Sequence, residues 1–319
     1  MHVHRNALAI SSTLALLVAA GSGCQEYAVE QVLYTDEFQQ GSDDSGVDIL
    51  WVIDNSGTMS GEQERLGEAF AGITSMFEET VADFRLGVIT TDLDDPEHRG
   101  RLQGDPAVLG PDTPDLATAF VTNAAVGTQG SKHELGFEAL ELAMTEAVDA
   151  GHNGGFFRED AILEVVVVSD EDDHGSTEVL TVMSDLTELV PDPERFRIHA
   201  IVGDEPYGCL TADSSAEAGS RYLAGARLSD GFDGSICLDD WTPLLEEIGL
   251  AVLGMQDTFA LSKEPDVESL EVTVDGVLIP QRASDGWAYD IGLNAIVFDR
   301  YAVPRPGMAI VVSYFAHRG

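Results

Sequence analysis

Asp54, Ser56 and Thr58 stand at alternate positions directly after an apolar run, Val-Asp-Ile-Leu-Trp-Val-Ile at 47–53. One carboxylate and two hydroxyls form a hard, oxygen-only donor set, suited to Mg²⁺ or Mn²⁺ rather than zinc. Gly57 allows the segment to curl so that alternate side chains point inward. A second apolar run, Ile-Leu-Glu-Val-Val-Val-Val at 162–168, leads into Ser169, Asp170, Glu171, Asp172 and Asp173. Ligands of an open parallel sheet bind beyond the carboxyl ends of its strands, so Asp54 and Asp170 would share one edge if these runs are strands of one sheet. The bland alternative is that the same residues are helix caps, because Asp, Ser and Thr accept from the first free amides of a following helix. A second strand-end carboxylate favours the cation site. Asp172 and Asp173 read as a solvated or capping pair. His174, with no second histidine at ligand spacing, reads as a loop residue rather than a zinc ligand.

Those residues must be held by strands and helices, and the periodicity supplies them. An apolar run broken only by Asp48 is what a strand covered on both faces looks like. Leu66, Phe70, Ile73 and Phe77 recur at helical spacing and predict a helix over 62–81. A strand follows over 85–91, then the acidic turn Asp92-Leu93-Asp94-Asp95-Pro96, where Asp92 reads as turn chemistry, with a role behind the site as the alternative. Helices are expected at 135–148 and at 177–190, the latter closed by Pro191 and Pro193. Beyond them come a strand at 197–202, a short helix at 219–226, an edge strand at 235–238 and a closing helix at 241–253. This alternation predicts an α/β fold with a doubly wound, mostly parallel sheet over 46–254. From about 256 the period changes to two: Leu270, Val272 and Val274 alternate with polar residues, Asp275-Gly276 is a hairpin signal, and 309–314 reads as a last strand. A small, β-rich, sandwich-like domain is expected over 255–319, with Trp287, Tyr289 and Phe298 in its core.

The strand-end pattern resembles the metal-ion-dependent adhesion site of von Willebrand factor type A domains, whose first motif reads Asp-x-Ser-x-Ser. Thr58 keeps the last hydroxyl, and Asp170 falls where that family places its third-loop aspartate. The family's middle loop carries a threonine shortly before a helix that begins Gly-x-Ala-Leu. Here the helix start is Gly136-Phe137-Glu138-Ala139-Leu140, the family's spacing reaches Glu134, and the nearest threonine is Thr128. Either completes the set, and Glu134 would add a charge that holds the cation more tightly on the protein alone. The resemblance covers about 46–254. It implies a non-enzymatic binding module in which a bound Mg²⁺ or Mn²⁺ coordinates a carboxylate of a partner protein. Asp54-Asn55-Ser56-Gly57-Thr58 also resembles the Asp-x-Asp-Gly-Thr motif of haloacid-dehalogenase phosphatases, with Asp54 as nucleophile and Asp170 on magnesium. Ser56 stands where that family needs an acid/base aspartate, and neither lysine is placed for a phosphoryl group, so this reading is the alternative. A Ser56–His174 hydrolase lacks the Gly-x-Ser-x-Gly elbow. A structural envelope protein with a vestigial site is the third option.

Residues 1–6 carry one arginine and no acid, and 7–20 are apolar apart from Ser11, Ser12 and Thr13, which predicts a secretory signal. Residues 1–23 close on small side chains before Cys24, an arrangement similar to a bacterial lipoprotein signal with Cys24 as the lipidated residue. Gly21 occupies the place where leucine is usual, and ordinary cleavage near Ser22 is the alternative. The protein is thus expected to be exported and lipid-anchored at the bacterial cell envelope, at the outer membrane. Three cysteines are odd for an exported chain, but they resolve if Cys24 is acylated and Cys209 pairs with Cys237, a bridge worth about 3 kcal/mol. Residues 24–45, acidic and weakly periodic, are expected to be a tether. With 16 basic and 57 acidic residues the net charge is −41, and the two lysines are Lys132 and Lys263. Such a surface repels phosphate backbones, so nucleic acid is excluded as a partner, whereas divalent cations are drawn to it.

Overall fold

In the computed structural model, residues 31–41, 46–80, 83–212, 214–252, 255–282, 284–299 and 302–317 are described, with backbone alone at 72–80, 251–252 and 317. The expected signal at 1–23 and Cys24 lie outside the described residues. Two compact units emerge: Asp44–Leu253, and a second made from both chain ends, Met1–Asp43 with Gly254–Gly319. Among the described residues, no helix is long and apolar enough to cross a membrane.

The chain begins with strand β1 (Gln31–Gln39), which belongs to the second unit. The larger unit then runs β2 (Val47–Ile53), α1 (Ser60–Thr80), β3 (Phe84–Thr90), α2 (Leu116–Ala124), α3 (Gly136–Met144), α4 (Glu146–Asp149) and β4 (Ile162–Ser169). It continues with α5 (Val179–Leu189), β5 (Phe196–Val202), the short hairpin β6 (Cys209–Leu210) and β7 (Ser215–Ala216), α6 (Ser220–Leu228), β8 (Asp233–Ser235) and α7 (Thr242–Val252). Five strands form a parallel sheet in the order β3-β2-β4-β5-β8. Counted within this unit the order is 2-1-3-4-5, a doubly wound sheet whose winding reverses between β2 and β4. The reversal splays the flanking connections and opens a crevice at the carboxyl ends of those two strands.

Both faces are covered. Leu50, Val52, Val165, Val167, Ile198 and Ala200 pack against Phe137, Leu140, Met183, Leu186, Tyr222 and Leu223 from α3, α5 and α6. On the opposite face Trp51 meets Phe120 of α2 edge-on at 5.2 Å and Phe70 of α1 at 6.2 Å. Asp48, inside the apolar run, accepts from the Arg158 amide and from Arg158 Nε, both at 2.8 Å. Glu164 of β4 is likewise fully buried and meets Arg197 and His199, each at 2.9 Å. Charged partners supply what water would otherwise supply.

Several elements differ from the sequence expectation. The helix expected over 135–148 breaks at Thr145, whose hydroxyl turns back to the Glu141 carbonyl at 2.7 Å. The edge strand expected at 235–238 sits earlier, at β8, because its pairing with β5 runs from Ala200↔Asp233 to Val202↔Ser235. Helix α2 had no expectation; Asp115 caps it by accepting from the Thr118 amide, and Leu116, Phe120 and Ala124 form its buried stripe.

The second unit adds β9 (Thr258–Ala260), β10 (Glu271–Val274), β11 (Val277–Ile279), β12 (Trp287–Asp290), β13 (Ala295–Phe298) and β14 (Ala309–His317). Antiparallel sheets β1-β14-β10-β11 and β12-β13-β9 share a core of Phe259, Val272, Trp287, Ile296, Phe298, Ile310, Val312 and Tyr314. Asp275 and Gly276, with φ of 48° and 78°, make the β10–β11 turn. The tether reading of 24–45 is corrected for residues 31–39. They form β1, paired antiparallel with β14 from Gln31↔His317 to Gln39↔Ala309. The period-two signal was hidden because Asp36 shares the inward register with Tyr34 and Phe38. Its carboxylate accepts from the Tyr314 hydroxyl at 2.7 Å and the Ser262 amide at 2.8 Å. The β-rich unit therefore comprises residues from both ends of the chain, not 255–319 alone.

Candidate metal centre

The carboxyl ends of β2 and β4, the strands flanking the reversal, bring Asp54 and Asp170 to one edge. The ladder continues one residue past β2, with the Asp54 amide donating to the Val168 carbonyl at 3.0 Å. Asp54 is fully buried. One of its carboxylate oxygens accepts from the Ser56 amide at 2.7 Å, and the other accepts from the Ser169 hydroxyl at 2.7 Å. The Ser56 and Thr58 hydroxyls lie 3.2 Å apart, Ser56 buried and Thr58 exposed. Thr58 also hydrogen-bonds Asp170, whose Oδ1 is buried with no partner.

Glu134 enters from the middle loop and is fully buried. Its Oε2 accepts from the Thr91 hydroxyl, while Oε1 has no partner. Its backbone is fixed by His174: the Glu134 amide donates to Nδ1 at 3.1 Å, and the His174 amide donates to the Glu134 carbonyl at 2.7 Å. Thr128 is half-buried in the same loop, its carbonyl 4.0 Å from where a Cβ on Gly57 would stand. Gln63 ties these loops together by donating to the Asp54 carbonyl at 3.1 Å and the Gly127 carbonyl at 2.9 Å. The Gly130 amide donates to the Asn55 carbonyl at 2.8 Å.

Burial dominates the electrostatics. It raises the Glu134 carboxyl to about 8, with the Asp54 charge adding to the shift and the Thr91 hydrogen bond opposing it. Asp170 rises to about 7, again chiefly by burial, with Thr58 opposing and Asp54 adding. Asp54 is raised by burial against its hydrogen bonds from Ser169 and Ser56. Asp54, Glu134 and Asp170 thus stand on three loops at this edge, and among the described residues none of them pairs with a lysine or arginine. Two of their buried oxygens lack any partner, an arrangement that costs free energy unless a proton or a cation meets them. Among the described residues, no group of three or more His, Cys, Asp or Glu is arranged to hold a metal ion. The donor set at this edge mixes carboxylates with hydroxyls, which fits a hard cation.

The acidic residues around this set have other tasks. Asp172, half-buried, and Asp173, buried, are the capping pair of the two readings offered for them. Asp172 accepts from the Arg221 amide in the first turn of α6, and Asp173 accepts from the Phe137 amide in the first turn of α3 and from Arg221 Nε. Asp92 closes its own turn by accepting from the Asp94 and Asp95 amides, and also accepts from the Ser131 amide across the middle loop. His174 stacks on His133 at 4.8 Å. Sequence reasoning assigned no role to Thr91, Ser169 or Gln63. Only Ser169, at the end of an apolar run, carried a readable position.

Neither a protein-family model nor a curated protein matches the chain. Among solved structures it is similar to the pilus adhesin SpaC from Lactobacillus rhamnosus GG in its open conformation, at 12% identity and a TM-score of 0.47, over 90% of this chain and 40% of that one. It is also similar to a von Willebrand factor type A protein from Catenulispora acidiphila, at 12% identity and a TM-score of 0.41, over 92% of this chain and 62% of that one. Proximal thread matrix protein 1 of the mussel byssus aligns at 11% identity and a TM-score of 0.44, over 71% of this chain and 51% of that one. The chain thus spans less than two thirds of each of these structures.

Proposed function

We propose that the larger unit is a von Willebrand factor type A-like binding module whose candidate metal centre takes Mg²⁺ or Mn²⁺. The ligands are Asp54, Ser56, Thr58 and Asp170, with Glu134, rather than Thr128, completing the set. The observation that carries this reading is the pair of orphaned buried oxygens, Glu134 Oε1 and Asp170 Oδ1, on different loops beside Asp54. A bound divalent cation would offer a coordination position to a carboxylate of a partner protein. This chain's own residues would set the donor loops: Ser169 and the Ser56 amide orient Asp54, Thr91 orients Glu134, and Gln63 fixes the distance between first and middle loops. The role is binding, adhesion or scaffolding, without catalysis. Together with the secretory leader and Cys24, it describes an exported protein lipid-anchored at the outer membrane.

Calorimetric titration of Mg²⁺ and Mn²⁺ into wild type, Asp54→Ala and Asp170→Ala tests the site. One discrete event in wild type, lost in both variants while each still melts cooperatively, is expected. Identical diffuse uptake in all three proteins would reduce the motif to helix caps on an acidic surface.

A further inference from the structure

We propose that the Cys209–Cys237 disulfide is a strut for the candidate metal centre, so that the redox state of this pair controls how tightly the site holds its cation. The inference rests on the cation-site reading above. The observation behind it is a closed ring of contacts. Sulfurs of Cys209 and Cys237 join the β6–β7 hairpin to the segment after β8, with Cα atoms 6.1 Å apart. From the hairpin, the Ser214 hydroxyl donates to Glu62 Oε1 at 3.0 Å, within the first turn of α1 and four residues past Thr58. Glu62 in turn holds Arg65 at 2.6 Å. Arg65 donates to the Leu238 carbonyl at 3.0 Å and lies over the Trp241 ring at 5.4 Å, which returns the ring to the residue after Cys237.

Two further contacts carry this ring onto the third loop. The Glu217 amide, one residue beyond β7, donates to the Asp170 carbonyl at 2.8 Å. Arg221, four residues later, holds Asp172 and Asp173. The hairpin thus touches the first loop through Glu62 and the third through Asp170; its ladder is Cys209↔Ala216 and Leu210↔Ser215, closed at the turn by the Thr211 amide donating to the Ser214 carbonyl at 2.8 Å. A ladder that short does not hold itself in water. Besides the disulfide, the base of the excursion is tied to the β8 end by Ser235 donating to Asp204 at 2.7 Å.

Cys209 is half-buried and is the more exposed of the two cysteines. Reduction by a dithiol breaks the Sγ–Sγ bond, delivers two electrons and two protons to leave two thiols, and converts the dithiol to its own disulfide. The hairpin is then free to leave Glu62 and the Asp170 carbonyl, while the sheet and its core stay in place.

The full chain tests this with Mg²⁺ as the probe. Titrations are compared for the oxidised protein, the protein kept reduced with dithiothreitol, and the Cys209→Ser/Cys237→Ser variant. At least a tenfold loss of affinity on reduction, matched by the variant and restored on reoxidation with cooperative melting throughout, is expected. Equal affinity in all three would overturn the proposal. So would loss of cooperative melting on reduction, which would make the disulfide a general staple. Hydrogen exchange on the cation-free protein separates the strut from the site itself: faster exchange at 170–173 and 214–218 on reduction, with β4 unchanged, supports the strut even if no cation binds. Unchanged exchange at 170–173 overturns it even if one does.

Discussion

Glu134 is the residue on which the chemistry of this edge turns. A threonine in its place would add a neutral oxygen, whereas a buried carboxylate beside Asp54 and Asp170 adds charge that repels its neighbours until a proton or cation arrives. The direction of the pH dependence follows. The Glu134 carboxyl rises from 4.5 to about 8 and Asp170 from 3.8 to about 7, so between those limits the folded protein holds protons that the unfolded chain has released. The contribution of these two carboxyls to the stability of the cation-free protein should therefore be full below about pH 4 and be lost as pH rises through 7 to 8. Thermal melts from pH 4.5 to 9 in chelator should show a drop of several degrees, and saturating Mg²⁺ should restore it at the alkaline end. Glu134→Gln removes the charge while keeping the shape. It should flatten that profile, raise the cation-free melting point at pH 9 and weaken Mg²⁺ binding at least tenfold; an unchanged titration would remove Glu134 from the ligand set.

At the scale of elements, strands β2 and β4 are held at both ends by polar groups inside an apolar sheet. The carboxyl ends carry the donor loops, and the amino end of β2 carries Asp48 and its Arg158 clamp, which also reaches Asp83 and the Val47 carbonyl. Removing one partner of a buried pair leaves an uncompensated charge, so Arg158→Ala should cost about 3–5 kcal/mol in denaturant unfolding. The Asp48→Asn/Arg158→Met double variant should recover part of that loss. No recovery would show that Arg158 acts through its packing instead. These elements were legible to different degrees. The apolar runs of β2 and β4 announced themselves as buried strands, and Asp275-Gly276 marked its turn. β1 was hidden by Asp36, an acid in an inward register that only the distant Tyr314 hydroxyl and Ser262 amide make tolerable. The break at Thr145 depends on a hydroxyl choosing a carbonyl four residues back, which composition does not reveal.

For the whole molecule, the α/β unit is an insertion within the β-rich unit, since the latter is built from both chain ends. β1 supplies the strand that pairs along all nine residues of β14. Deleting residues 25–40 should therefore unfold the β-rich unit alone. Scanning calorimetry should show two transitions in the full chain, of which the deletion abolishes one and leaves the other within about 2 °C, as expected for independent domains. Loss of both would mean that the α/β unit needs the other to fold. By itself the sequence determined the alternating architecture, the two strand-end carboxylates Asp54 and Asp170 and the acidic surface, because periodicity and residue chemistry act over a few neighbouring positions. It also left the middle-loop donor open between Thr128 and Glu134, and it could not see β1. Tertiary structure buries Glu134, leaves Thr128 half-buried and pairs β1 with β14. Which carboxylate is dry, which oxygen lacks a partner, and which strand pairs with the far end of the chain are set by groups hundreds of residues apart in some cases, and burial exists only once the chain has closed on itself.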